Sequence, residues 1–145
     1  MTQNRIDKLN EFLRGELAAV ETYDLASKNV THVELASMLR QLRDDHDARV
    51  TMLREKVRAL GAEPALSSGV WGTFAKALQA GADLFGESAA MAALEEGEDR
   101  GLAMYVEASA KAEPVVVDIV DARLLPAQRK THDICRSLKR VVKAA

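Results

Sequence analysis

The sequence predicts an all-α protein: a four-helix bundle of two helical hairpins joined by a long crossover. Three observations carry that reading. Apolar residues recur at steps of three and four along four long stretches. Apolar residues make up 48% of the chain but aromatics only 4%, and Gly and Pro are sparse, a composition that suits Ala- and Leu-rich helices. Two distant stretches share a frame: ELAAVETY (16–23) and EDRGLAMY (98–105) each open on Glu and close on Tyr.

The first helix is expected over residues 5–28, with Ile6, Leu9, Leu13, Val20, Tyr23 and Ala26 on its apolar stripe. The stripe's missing step is Glu16. Thr31 and Glu34 have capping-box spacing, so a second helix is expected over 32–60, ended by Gly61. Its stripe of Leu35, Leu39, Leu42, Leu53, Val57 and Leu60 has one polar member, His46. Residues 61–87 are rich in Gly, Ser and Pro and read as the crossover. A short amphipathic helix is expected inside it, with Trp71, Phe74 and Leu78 on one side.

The third helix is expected over 88–112, where Glu98 takes a core slot beside Met91, Leu94, Tyr105 and Ala108. Pro114 suits a first helical position and opens the fourth, 114–142. Pro126 should kink it, because it removes an intrahelical hydrogen bond. His132 falls on the stripe with Leu125, Cys135 and Val142. Short links pair the helices into hairpins, and a connection of this length can run back along a bundle. The 145 residues are expected to form one domain.

Composition limits function. A net charge of −2 gives no basic face for nucleic acid. No apolar run is long enough for a transmembrane segment, and no signal-peptide core is present. One cysteine cannot form an internal disulfide, which suits a reducing compartment and a cytoplasmic location. No nucleophile motif, phosphate-cradling glycine loop or CxxC is present.

What remains is one inward polar residue per helix: Glu16, His46, Glu98 and His132. Glu16 lies 14 residues before Val30 and His46 lies 15 after Thr31, so they share a level; Glu98 and His132 match more loosely. A buried carboxylate needs partners, because leaving it unpaired costs several kcal/mol. RDDH (43–46) is matched by RKTH (129–132), so the chain reads as two copies of one hairpin.

The paired Glu-x6-Tyr frames, the two inward histidines and the long crossover together resemble the ferritin-like superfamily, of rubrerythrin and bacterioferritin type. ELAAVETY is similar to the first helix of bacterioferritins. GVWGTFAKAL and EEGEDRGLAMY resemble most closely a small bacterial ferritin-like family of unknown function. The resemblance implies that Glu16 and Glu98 match terminal carboxylate ligands of a di-iron centre and His46 and His132 its histidines. Tyr23 and Tyr105 match the tyrosines behind those ligands. At the bridging-carboxylate positions stand Arg43 and Arg129.

The expectation is therefore a non-catalytic bundle, with no cofactor, in which Arg43 and Arg129 reach inward to form a buried Arg–Glu–His network. Its role is expected to be structural or protein-interacting, and stress-related by the resemblance. The alternative is an iron or zinc protein, or a di-iron-type oxidase or peroxidase, using Glu16, His46, Glu98 and His132. Asp44, Asp45, Asp47, Glu95 and Asp99 are expected to be solvated, and Glu21 to lie off the inner stripe. A homodimer through the Trp71–Phe85 segment is a further expectation; a ferritin-type cage is not expected.

Overall fold

The computed structural model describes residues 2–69 and 86–144. Every regular element among them is helical. Helix α1 spans Thr2–Asn29, α2 Val33–Ala59 and α3 Glu87–Lys111. A fourth helical rod follows in three parts: α4 (Pro114–Ile119), a π-helical turn (Val120–Leu124) and α5 (Leu125–Ala144). The four rods fall near the expected spans. The expected Trp71 helix and the Trp71–Phe85 surface lie outside the described residues.

Pro114 stands in the first turn of α4, as its lack of an N–H allows. Pro126 follows the π turn, in which the Leu125 N–H reaches back to the Val120 carbonyl. The wider turn carries the apolar stripe from Leu124 to Val120 and Val116, all buried, in steps of four. The irregularity beside the proline is a π-bulge, one of the recognised causes of helix bending.

The end of α2 is a Schellman cap. Ala62 N–H bonds Val57 O, Gly61 N–H bonds Arg58 O, and Gly61 has the positive φ of 77° that the motif asks of its glycine. The start of α2 departs from expectation. His32 is the N-cap and makes no side-chain cap bond. Thr31 gives its N–H and hydroxyl to Glu87 instead, at 2.6 and 2.8 Å. Glu87 is thereby held down at about 2, first by the Thr31 N–H bond. The expected capping box is replaced by a tie between the α1–α2 turn and the first turn of α3.

These ties set the topology. The described start of the crossover leaves α2 and lies along α1: Asn10 brackets Glu63 and Ala65, and Ser68 reaches Glu21. Arg5 pairs with Glu113 at 2.8 Å, joining the start of α1 to the start of α4. Consequently α1 runs one way, α2 and α3 both return, across a diagonal of the bundle rather than as neighbours, and the fourth rod runs with α1. Helix α1 packs chiefly on α2, and α3 on α5.

The core divides into two apolar layers. Towards the start of α1 lie Leu9, Phe12, Leu13, Val50, Leu53, Tyr105 and Leu124, among others. Towards its end lie Tyr23, Leu39, Leu42, Met91, Leu94 and Cys135. On every rod the residues between these layers are polar and buried: Glu16 on α1, His46 and Arg49 on α2, Glu98 on α3, and Gln128 and Thr131 on α5.

Candidate functional site

This polar belt is built around His46, which is 3% exposed. Its position in the α2 stripe aims the ring across the bundle. Nδ1 lies 2.6 Å from Glu16 Oε2 and Nε2 lies 2.7 Å from Glu98 Oε1. Both contacts are hydrogen bonds to carboxylates when both ring nitrogens carry protons, which defines the imidazolium form. Burial alone would lower the His46 pKa; the charges of Glu16 and Glu98 and their hydrogen bonds outweigh it and raise it to about 9. Burial pushes Glu16 upward, yet the facing His46 and Arg49 charges, with bonds from His46 and Tyr105, bring it down to about 2.

Each carboxylate is finished by groups from other helices. Tyr105 on α3 donates to Glu16 Oε1 at 2.6 Å, and Tyr23 on α1 donates to Glu98 Oε1 at 2.9 Å. The far oxygen of Glu98 accepts from Gln128 Nε2 (2.9 Å) and Thr131 Oγ1 (3.0 Å). The tyrosine hydroxyls are pushed well above 10, chiefly by burial and then by the carboxylate each faces, so they act as donors.

Arg49 closes the belt. From α2 its Nη1 reaches Glu16 Oε1 (3.3 Å) and Gln128 Oε1 (2.5 Å), and its Nη2 reaches Ala127 O and Thr131 Oγ1 on α5. Nη1 also stands 3.2 Å from His46 Nδ1, a contact between two donors that Glu16, lying against both, makes tolerable. Two carboxylates thus face one guanidinium and one imidazole within one desolvated layer.

Of the sequence-predicted residues, Glu16, His46 and Glu98 come together, with Tyr23 and Tyr105 against them. His132 does not join them: its Nε2 turns to Asp99 Oδ1 at 2.6 Å, on a carboxylate whose side chain is 59% exposed. Asp99 is therefore a partner rather than a fully solvated charge. The expected inward arginines are a correction. Arg43, three residues before His46 on the flank towards α1, turns outward to Asp24 (2.9 Å) and Asp44. Arg129, two residues from Thr131 and so on the opposite face of α5, is exposed. The buried cation is Arg49.

Arg49, Gln128 and Thr131 are the residues that sequence reasoning missed, and a signal existed for each. Arg49 lies three residues after His46, on the same helix face. Leu124, Gln128, Thr131, Cys135 and Leu138 step by four and three, a better helical stripe than the one through His132. Cys135 itself is a buried thiol raised to about 12, chiefly by burial, and has no thiolate character at neutral pH.

A crevice of about 30 Å3 between α1 and α3 approaches the belt, lined by Gly15, Ala18, Ala19 and Gly97 and reaching Tyr23, His46 and Glu98. Among the described residues no group of three or more His, Cys, Asp or Glu is arranged to hold a metal ion, and no helix is long and apolar enough to cross a membrane.

Fold and site together define an all-α bundle with a buried, charge-matched polar layer. The chain belongs to the family described as "Domain of unknown function (DUF2383)", whose model matches residues 4–111. The matched span includes Glu16, His46, Arg49 and Glu98, but not the α5 residues that complete the belt. No curated protein and no solved structure matches the chain.

Proposed function

We propose that this protein is a non-catalytic bundle of ferritin-like type, structural or protein-interacting in role, whose central layer is an Arg–Glu–His network in place of a di-iron centre. One observation carries the reading: both nitrogens of His46 are engaged by carboxylates, Glu16 and Glu98, with the Arg49 guanidinium in the same layer.

The residues do not fit a pair of metal ions. A histidine ligand needs one free ring nitrogen, and a di-iron site of this kind adds a bridging Glu three residues before each histidine. Here those positions hold Arg43 and Arg129, and His132 is turned to Asp99. Arg49 supplies a fixed cation where a metal would add charge. The antiparallel hairpins, with α2 and α3 parallel across a diagonal of the bundle and residues 63–68 along α1, are consistent with the ferritin-like arrangement. The net charge of −2 argues against nucleic acid, and a cytoplasmic setting suits a chain with one buried thiol.

Metal content tests the proposal. The full chain would be incubated anaerobically with Fe(II) or Zn(II), desalted and analysed by mass spectrometry beside an E16Q/E98Q variant. The expected result is no retained metal in either. Near one or two equivalents in the wild type, lost in the variant, would overturn the proposal and establish an iron or zinc site at Glu16, His46 and Glu98.

A further inference from the structure

We propose that the groove between α2 and α5 is a binding site for a small organic oxyanion, a carboxylate or a phosphate, held at the outer edge of the polar belt. The groove measures about 210 Å3, and its wall includes Asp45, Arg49, Met52, Arg123, Lys130 and Thr131. It lies where the two helices touch little, and Arg49 and Thr131 carry it down to the belt.

The cations that line the groove point to an anion. Arg123 and Lys130 are exposed cations with no hydrogen bond or ion pair to any described residue. Arg123 belongs to the π-helical turn, a backbone irregularity frequent at functional sites. Arg49, 5% exposed, uses Nη1 and Nη2 fully within the belt, yet its Nε–H is the one buried side-chain donor without a partner among the described residues. A buried donor left unpaired is costly; this one has almost no surface open to the groove, so an anion there meets Arg49 through its charge and not through that N–H.

The charges set the ligand class. Arg49 is offset within the belt by Glu16, so Arg123 and Lys130 against Asp45 leave one positive charge in excess. That suits a small anion with two or three acceptor oxygens, taken by charge-assisted hydrogen bonds. It is too little charge for a nucleic-acid backbone, which needs many such contacts. The inference is independent of whether the belt can hold a metal.

The test is titration of the full chain with inorganic phosphate and with succinate at low ionic strength, followed by calorimetry and by the 15N–1H signal of the Arg49 Nε–H. Sodium chloride at matched ionic strength is the control. One saturable site that moves the Arg49 signal is expected, with the anion that binds more tightly identifying the carboxylate or phosphate class. R123Q/K130Q should weaken it about tenfold or more and D45N should tighten it, while R40Q/R58Q, which removes two exposed cations elsewhere, should leave it unchanged. Absence of saturable binding by either anion, an equal response to chloride, or equal weakening in both double variants would overturn the site.

Discussion

Tyr23 and Glu98 lie 75 residues apart in sequence, yet the Tyr23 hydroxyl donates to Glu98 Oε1 over 2.9 Å. Tyr105 repays the contact in mirror fashion, donating to Glu16 at 2.6 Å. The two Glu-x6-Tyr frames are therefore interlocked: each tyrosine serves the glutamate of the other frame.

Removing either hydroxyl should cost stability, because each donates to a buried carboxylate. Tyr23→Phe and Tyr105→Phe are each expected to lower the unfolding free energy by about 1.5–3 kcal/mol, measured by urea denaturation. A loss below a few tenths of a kcal/mol in both would show that the crossed contacts contribute nothing.

The pH dependence of stability has a definite sign. His46 is raised to about 9, so its contribution is full below its unfolded value of about 6.5 and fades as pH rises through 9. Glu16 is lowered to about 2, so its contribution is full above 4.5 and fades as pH falls through 2. Stability should therefore peak between roughly pH 4.5 and 6.5. Glu87, also held near 2, shares the acid side. Cys135 and the two tyrosines, all raised, act above about pH 9, so the alkaline slope between 6.5 and 9 is the cleaner readout. His46→Gln should flatten it, and an unchanged alkaline slope in that variant would refute the imidazolium.

Arg49 and Arg43 make a matched comparison on one helix. Arg49→Ala leaves Glu16 short of a buried cation partner, which costs about 3–5 kcal/mol. Arg43→Ala breaks a surface pair with Asp24, worth about 0–1 kcal/mol. Thermal or urea unfolding of the two variants should separate them clearly; similar losses would mean that the buried cation has been misassigned.

Gly101 should behave against type. Gly→Ala within a helix normally stabilises by up to about 1 kcal/mol. Here a Cβ would stand 2.6 Å from Gln128 Nε2, which donates to Glu98. Gly101→Ala is expected to destabilise by about 1–3 kcal/mol. In a Gln128→Ala background the same change should become neutral or stabilising. If the sign is the same in both backgrounds, Gln128 is not what the glycine makes room for.

The sequence by itself determined the four helical rods, because their stripes repeat at helical spacing and strong stops such as Gly61 and Pro114 bound them. It also determined that Glu16, His46 and Glu98 face inward, since a polar residue in an apolar stripe has nowhere else to go. Tertiary structure decided the partners. Whether Thr31 caps its own helix or ties down Glu87 depends on where α3 begins. Whether His132 or the Gln128–Thr131 pair meets Glu98 depends on the rotation of α5 after the π turn, where neighbouring residues differ by about 100°. Arg43 and Arg49 are both arginines on α2, and only the packing of α5 against that helix makes one a surface charge and the other the cation of the belt. Periodicity fixes which way a side chain points along its own helix, while its partner is set by the relative rotation of two helices, which no local pattern encodes.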